Sequence, residues 1–77
     1  MATLIAALDT DFTPAVGDFI AQVTGGSCQL VRKNTAGAAF ALVQSLVNCA
    51  VVVSNPVAGA VYRFNSVQTG VTVQADQ

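Results

Sequence analysis

The sequence predicts an all-β fold, a small antiparallel β-sandwich or barrel of six to eight short strands. Three observations carry that prediction. Turn-forming clusters of Gly, Pro, Asn, Asp and Ser recur along the whole chain: "TDFTP" at 10–14, "TGGS" at 24–27, "NTAG" at 34–37, "SNP" at 54–56, "AG" at 58–59 and "QTG" at 68–70. The segments between them are too short for ordinary helices. Several of those segments also alternate apolar and polar residues with a period of two.

Taken in order, "LIAALD" shows no alternation and is read as a strand on its apolar content, with residues 1–16 as an N-terminal arm or edge strand of a single 1–77 domain. "TPAVGDFIAQV" admits a helix capped by Thr13, with Pro14 in its first turn and Val16, Phe19, Ile20 and Val23 on one face. Gly17 weakens that helix by about 1 kcal/mol relative to Ala, so a strand is preferred. In "CQLVRK", Cys28 and Leu30 oppose Gln29 and Val31. "AAFALVQSLVN" spaces Phe40, Val43 and Val47 for a helix, but one so short is marginal unless packing holds it, and a strand is again preferred.

"CAVVVS" is β-branched and apolar on both faces, as a central or interface strand would be. "AVYRFNS" sets Tyr62 and Phe64 against Arg63, and "GVTVQADQ" sets Val71, Val73 and Ala75 against Thr72, Gln74 and Asp76. The expected core is therefore Leu30, Phe40, Leu42, Val51, Tyr62, Phe64, Val71 and Val73. The stretches "NTAGAAF" and "NPVAGAVYRF" look like one device used twice. In each, Asn turns the chain, Gly takes a positive φ and alanines allow close approach.

Composition narrows the company this chain keeps. It has 77 residues, 53% hydrophobic and only 9% charged, where about 25% charged is usual. A domain of this size buries only roughly 60% of its unfolded surface, so the apolar excess is expected to meet a partner. A bilayer is not expected as that partner, because the longest apolar run, residues 36–43, falls far short of the ~20 a membrane helix needs. The start has no basic region, and Asp9 and Asp11 interrupt its apolar run, so a secretory signal is not expected either. Arg32, Lys33 and Arg63 are the only cations and the net charge is −1, which argues against nucleic acid.

The chemistry-bearing residues are sparse. With no His, Glu or Trp, nucleophile triads built on histidine are excluded, and no enzyme activity is expected. Cys28 and Cys49 lack zinc-type spacing and read first as small buried hydrophobes, with a Cys28–Cys49 disulfide as the alternative. Asp9, Asp11 and Asp18 lack the oxygen-rich pattern of a calcium loop and read as a solvated acidic edge; no metal or cofactor is expected. Arg32 and Lys33 read as an exposed strand end, or as a contact to an acidic partner together with Arg63. The aromatics Phe12, Phe19, Phe40, Tyr62 and Phe64 read as core rather than as a sugar-stacking platform.

The run "GDFIAQVTGGSCQLVRKNTAGAAFALV" followed by "NPVAGAVYRFNSVQTGVTVQADQ" resembles small β-sandwich proteins of tailed-bacteriophage virions. The likeness covers residues 17–77 and rests on Arg32, Gly37, Phe40, Gly59, Tyr62, Arg63, Phe64 and Gly70. It implies a structural virion protein, most readily a capsid decoration (cement) subunit on the particle exterior, made in the host cytoplasm and bound to the major capsid protein or another virion protein. It also implies a homo-oligomer, with a trimer favoured. The alternative is a tail- or fibre-associated module that recognises a host glycan or surface protein. An exposed aromatic cluster would favour that alternative; buried aromatics with an apolar rim would favour decoration.

Overall fold

Two glycines in the middle of the longest strand decide this architecture. The computed structural model describes residues 2–35 and 37–77, and these contain five strands and no helix. The strands are β1 (Thr3–Ile5), β2 (Phe19–Lys33), β3 (Ala41–Val53), β4 (Val61–Ser66) and β5 (Thr72–Asp76). All pairings are antiparallel and belong to one sheet, in the order β1–β5–β2–β3 with β4 also beside β2. A separate second sheet is not present among the described residues.

Along one edge β2 pairs with β3; along the other, β5 covers Ile20–Thr24 and β4 covers Cys28–Lys33. The N-terminal segment runs outside those two. β1 pairs β5, the Asp9 N–H donates to the Phe64 carbonyl at 2.8 Å, and Phe12 and Tyr62 exchange backbone bonds at 2.8 and 2.9 Å.

The sheet is sharply folded at mid-length. Phe19 and Arg32, the residue opposite Tyr62, are thirteen steps apart on β2. A straight strand would hold them about 43 Å apart at ~3.3 Å per residue. Yet the Phe19 and Tyr62 rings lie 4.9 Å apart, edge to face, and the whole molecule is only 31 Å in its longest dimension. The fold lies at Gly25 and Gly26, with φ of 86° and 147°. Between the pairs Val23↔Cys49 and Ser27↔Val47, β2 runs through Thr24, Gly25 and Gly26 while β3 spends only Asn48. This is a bulge, which bends and twists the strand.

Asn48 keys the bulge from the other side. It sits at φ 45°, and its Oδ1 accepts the Gly25 and Gly26 N–H groups at 2.8 and 3.2 Å. A Cβ on Gly25 would lie 2.6 Å from the Gly70 carbonyl oxygen, so the backbones approach too closely for any other residue. The bulge also switches the parity of β2. Phe19, Ala21 and Val23 face inward before it, Cys28 and Leu30 after it.

Inside the fold, Phe12 packs on Phe19, Tyr62 and Phe64 at 5.7–5.8 Å between ring centroids, and Val23, Leu30, Leu46, Val73 and Ala75 complete the core. Aromatic pairs at such separations add to the area they bury. Asn55 is buried with them. Its Nδ2 donates to the Ala15 and Pro14 carbonyls at 2.8 and 3.3 Å, and its Oδ1 accepts the Tyr62 hydroxyl at 3.2 Å.

The all-strand, antiparallel expectation holds, but in place of the expected sandwich or barrel the described residues form one open sheet. It has five strands rather than six to eight, partly because "TGGS" bends a strand and does not end one. Both helical alternatives are strand from Phe19 and from Ala41 onward. Leu30, Tyr62, Phe64, Val71 and Val73 are buried as expected, while Phe40 and Val51 are half-buried. Leu42 is 58% exposed, because the register shifts by one between Leu30↔Gln44 and Val31↔Leu42 and turns its side chain to the outer face. Both Asn–Gly stretches lie between strands, as expected, but differ in detail: Gly59 has φ 83°, and Asn55 is a buried tie where Asn34 is exposed. Ala36, within the first stretch, lies outside the described residues.

Candidate functional site: the open edge of β3

β3 is a thirteen-residue strand, ALVQSLVNCAVVV, without a single charge. One of its edges is fully used by β2; among the described residues no strand covers the other. Of the six large hydrophobic side chains exposed among the described residues, four are on β3: Leu42 (58%), Val43 (41%), Val47 (59%) and Val52 (68%). The apolar excess seen in the composition is thus gathered on one strand.

Edge strands are usually protected by brevity, Pro, inward or flanking charges, or bulges that twist them away. The opposite edge follows that rule, since β1 is only three residues long. β3 is long and uncharged. Its irregularity at Asn48 lies opposite that of β2, so the edge curves with the sheet, and its second irregularity, the extra residue Val43, lies near its Ala41 end.

The cations collect at one end of the β2–β3 hairpin. Arg32 and Lys33 close β2, and Arg63 lies opposite Val31 on β4. Arg63 is engaged internally: its Nε donates to Asp11 Oδ1 at 2.7 Å, and its guanidinium carbon sits 5.0 Å from the Phe40 ring centroid. Lys33 Nζ sits 4.6 Å from the centroid of the same ring. Arg32 and Lys33 make no ion pair among the described residues. A shallow, open depression of about 410 Å³ lies between them and the start of β3.

The acidic residues tie the N-terminal segment down. Asp9 accepts the Ser66 N–H at 3.1 Å and the Ser66 hydroxyl at 2.8 Å, and these bonds hold its pKa below the ordinary carboxylate value. With Asp11 on Arg63, two of the three carboxylates read in sequence as a solvated edge have a defined partner; Asp9, Asp11 and Asp18 are all exposed. Among the described residues no group of three or more His, Cys, Asp or Glu side chains could hold a metal.

Cys28 is buried on β2 and Cys49 half-buried on β3, both as free thiols. Burial first, then the charge of Asp9, raises the Cys28 pKa. Four of the five aromatics are in the core, leaving Phe40 half-exposed between two cations.

Sequence reasoning missed three residues that shape this site: Asn48, Asn55 and Gln68. Gln68 Oε1 accepts the Ser27 N–H and hydroxyl at 3.1 and 2.9 Å, bracing the bend. A signal was present for Asn48, the one amide inside the apolar run "SLVNCAVVV", because an Asn there weakens a strand unless the backbone uses it. The fold and this edge define a class: an all-β module, one bent antiparallel sheet with a long apolar edge. Comparison with family models, with curated proteins and with solved structures finds no match for the chain. No helix among the described residues is long and apolar enough to cross a membrane.

Proposed function

We propose that the protein is a non-catalytic structural subunit that works inside an assembly, with the β3 edge as its main contact. The observation that carries this reading is the uncharged thirteen-residue edge bearing four of the six exposed large hydrophobics. A protein that worked alone would gain nothing from such an edge and would risk aggregation. The virion setting comes from the sequence resemblance: a capsid decoration subunit on the exterior of a tailed-phage head, held on the major capsid protein.

Placement of the aromatics favours decoration over recognition of a host glycan. Phe12, Phe19, Tyr62 and Phe64 are buried, and no set of exposed rings remains to stack on a sugar. Binding through apolar area and strand pairing should persist at high salt, where ion-pair contacts weaken. The test is to strip the protein from purified particles and add it back. Particles carrying it should resist heat and osmotic shock better than bare ones, and Val47→Lys should fail to restore that resistance. Equal resistance with and without the protein would sink the reading.

A further inference from the structure

We infer that the open edge of β3 is filled by β3 of a second copy, paired antiparallel about a two-fold axis near Val47 and Asn48. This rests on β3 being an assembly contact and goes further by naming what occupies it.

The bend selects the occupant. Any strand added to β3 must fold at the level of Asn48, as β2 does at Gly25 and Gly26. An ordinary extended segment carries no such fold. β3 carries it near its own middle, and antiparallel self-pairing centred there sets bend against bend. The axis of that pairing is perpendicular to the sheet, so both copies curve toward the same side. A parallel pairing would turn the partner over and oppose the two curvatures.

Side chains agree with this arrangement. Leu42 and Val52, each five residues from Val47, both face outward and are exposed. Across the axis Leu42 of one copy meets Val52 of the other, and the two Val47 side chains meet at the centre. Because β3 has no charge, self-pairing sets no like charges opposite each other. The flanks have complementary sign: Arg32 and Lys33 at the Ala41 end, Asp18 and Asp76 beside Phe19 and Ile20 at the Val53 end. Antiparallel pairing places each cationic end beside the partner's acidic end. At ~4.8 Å per strand these charges are too distant for ion pairs, so they orient the copies more than they hold them. The pairing is isologous and uses both edges, so it closes as a dimer where the sequence resemblance implied a trimer.

Sedimentation of the purified chain from micromolar to millimolar concentration should show a monomer–dimer equilibrium and nothing larger. In a mixed isotope-labelled sample, NMR should detect contacts between Leu42 of one copy and Val52 of the other. Val47→Lys places two ammonium groups at the axis and should weaken dimerisation at least tenfold. Val47 is 59% exposed, so the variant should keep the wild-type circular dichroism. Hydrogen exchange on the wild type gives a second reading: β3 amides should gain protection as concentration rises, and β1 amides should not. A chain monomeric throughout, open-ended polymers, or a dimer indifferent to Val47→Lys would each overturn the pairing. The two proposals fail separately. A monomer that still protects particles through β3 sinks the pairing alone; a β3 dimer whose removal leaves particles unaffected sinks the structural role alone.

Discussion

Asn55→Ala tests whether a single buried amide holds the N-terminal segment onto the fold. Asn55 is fully buried and makes three side-chain hydrogen bonds: to the Ala15 carbonyl at 2.8 Å, the Pro14 carbonyl at 3.3 Å and the Tyr62 hydroxyl at 3.2 Å. Truncation does not orphan all three partners. The Ala15 carbonyl keeps the Gln77 Nε2 at 2.7 Å, and the Tyr62 hydroxyl keeps the Ser54 carbonyl at 3.4 Å. At about 1 kcal/mol net per bond, plus a small cavity, the loss should be about 2–4 kcal/mol. A domain of 77 residues has roughly 4–12 kcal/mol in total, so the melting temperature should fall by roughly 10–25 °C. Asn55→Asp sharpens the test. Only a protonated carboxyl can donate to those carbonyls, so the folded-state pKa of the introduced group rises above its unfolded value of about 3.9. The folded state then holds the extra proton over that interval, and stability relative to wild type must fall as pH rises from 4 to 7. Thermal melts of the three proteins at both pH values decide it. A melting temperature for Asn55→Ala within about 4 °C of wild type would refute the tie. So would an Asn55→Asp deficit that does not change with pH.

Other outcomes follow from the same geometry. Ser66→Ala removes one of the two donors that lower the Asp9 pKa, so the Asp9 titration midpoint followed by NMR should move up. Because the folded pKa is the lower one, this contact stabilises above the unfolded pKa and is lost as pH falls through the folded value; Ser66→Ala should flatten that acid-side loss. Brief alkylation of the native protein should label half-buried Cys49 ahead of buried Cys28, and the denatured, unreduced protein should take two labels. Equal native rates would contradict the packing at Cys28, and no label after denaturation would reveal a bridge. Gly25→Ala forces φ 86° on a side chain and drives its Cβ to 2.6 Å from the Gly70 carbonyl, so urea melts should show a loss of at least about 2 kcal/mol. Gly37→Ala, with nothing within 4 Å of the added carbon, should stay within about 0.5 kcal/mol of wild type.

What was legible in the sequence was local. Period-two alternation in "AVYRFNS" and "GVTVQADQ" found β4 and β5 and put Tyr62, Phe64, Val71 and Val73 inside, because alternation follows directly from the pleat. Where that phase is broken by a bulge, prediction fails in a definite way. Thr24–Ser27 has the composition of a hairpin turn, and only its long-range partners Asn48, Gln68 and Gly70 make it a bend within one strand. Leu42 was misassigned for the same reason, since one skipped residue at Val43 reverses the face. Composition indicated an apolar excess, but its location on the surface depends on which strand ends at the edge. That is decided by pairing between residues far apart in the chain, such as Gln29 with both Ser45 and Asn65.

The bend and the open edge follow from one arrangement of strands. Laid flat, a sheet that takes in all five described strands would leave an apolar face with no second layer to cover it. Folding the sheet at Gly25 and Gly26 lets one half cover the other, which is why Phe19 from the start of β2 meets Tyr62 from the pairing zone at its end. That solution sets β4 and β5 along one edge of β2, with the N-terminal segment outside them, and among the described residues leaves no strand for the free edge of β3. Protecting that edge with charges would be simple, as Leu42, Val47 and Val52 already point into solvent and would accept lysine without disturbing the core. They are apolar instead. A bend that builds a core from a single sheet, next to an unguarded edge that carries the same bend, is the arrangement that the proposed pairing with a second copy would complete.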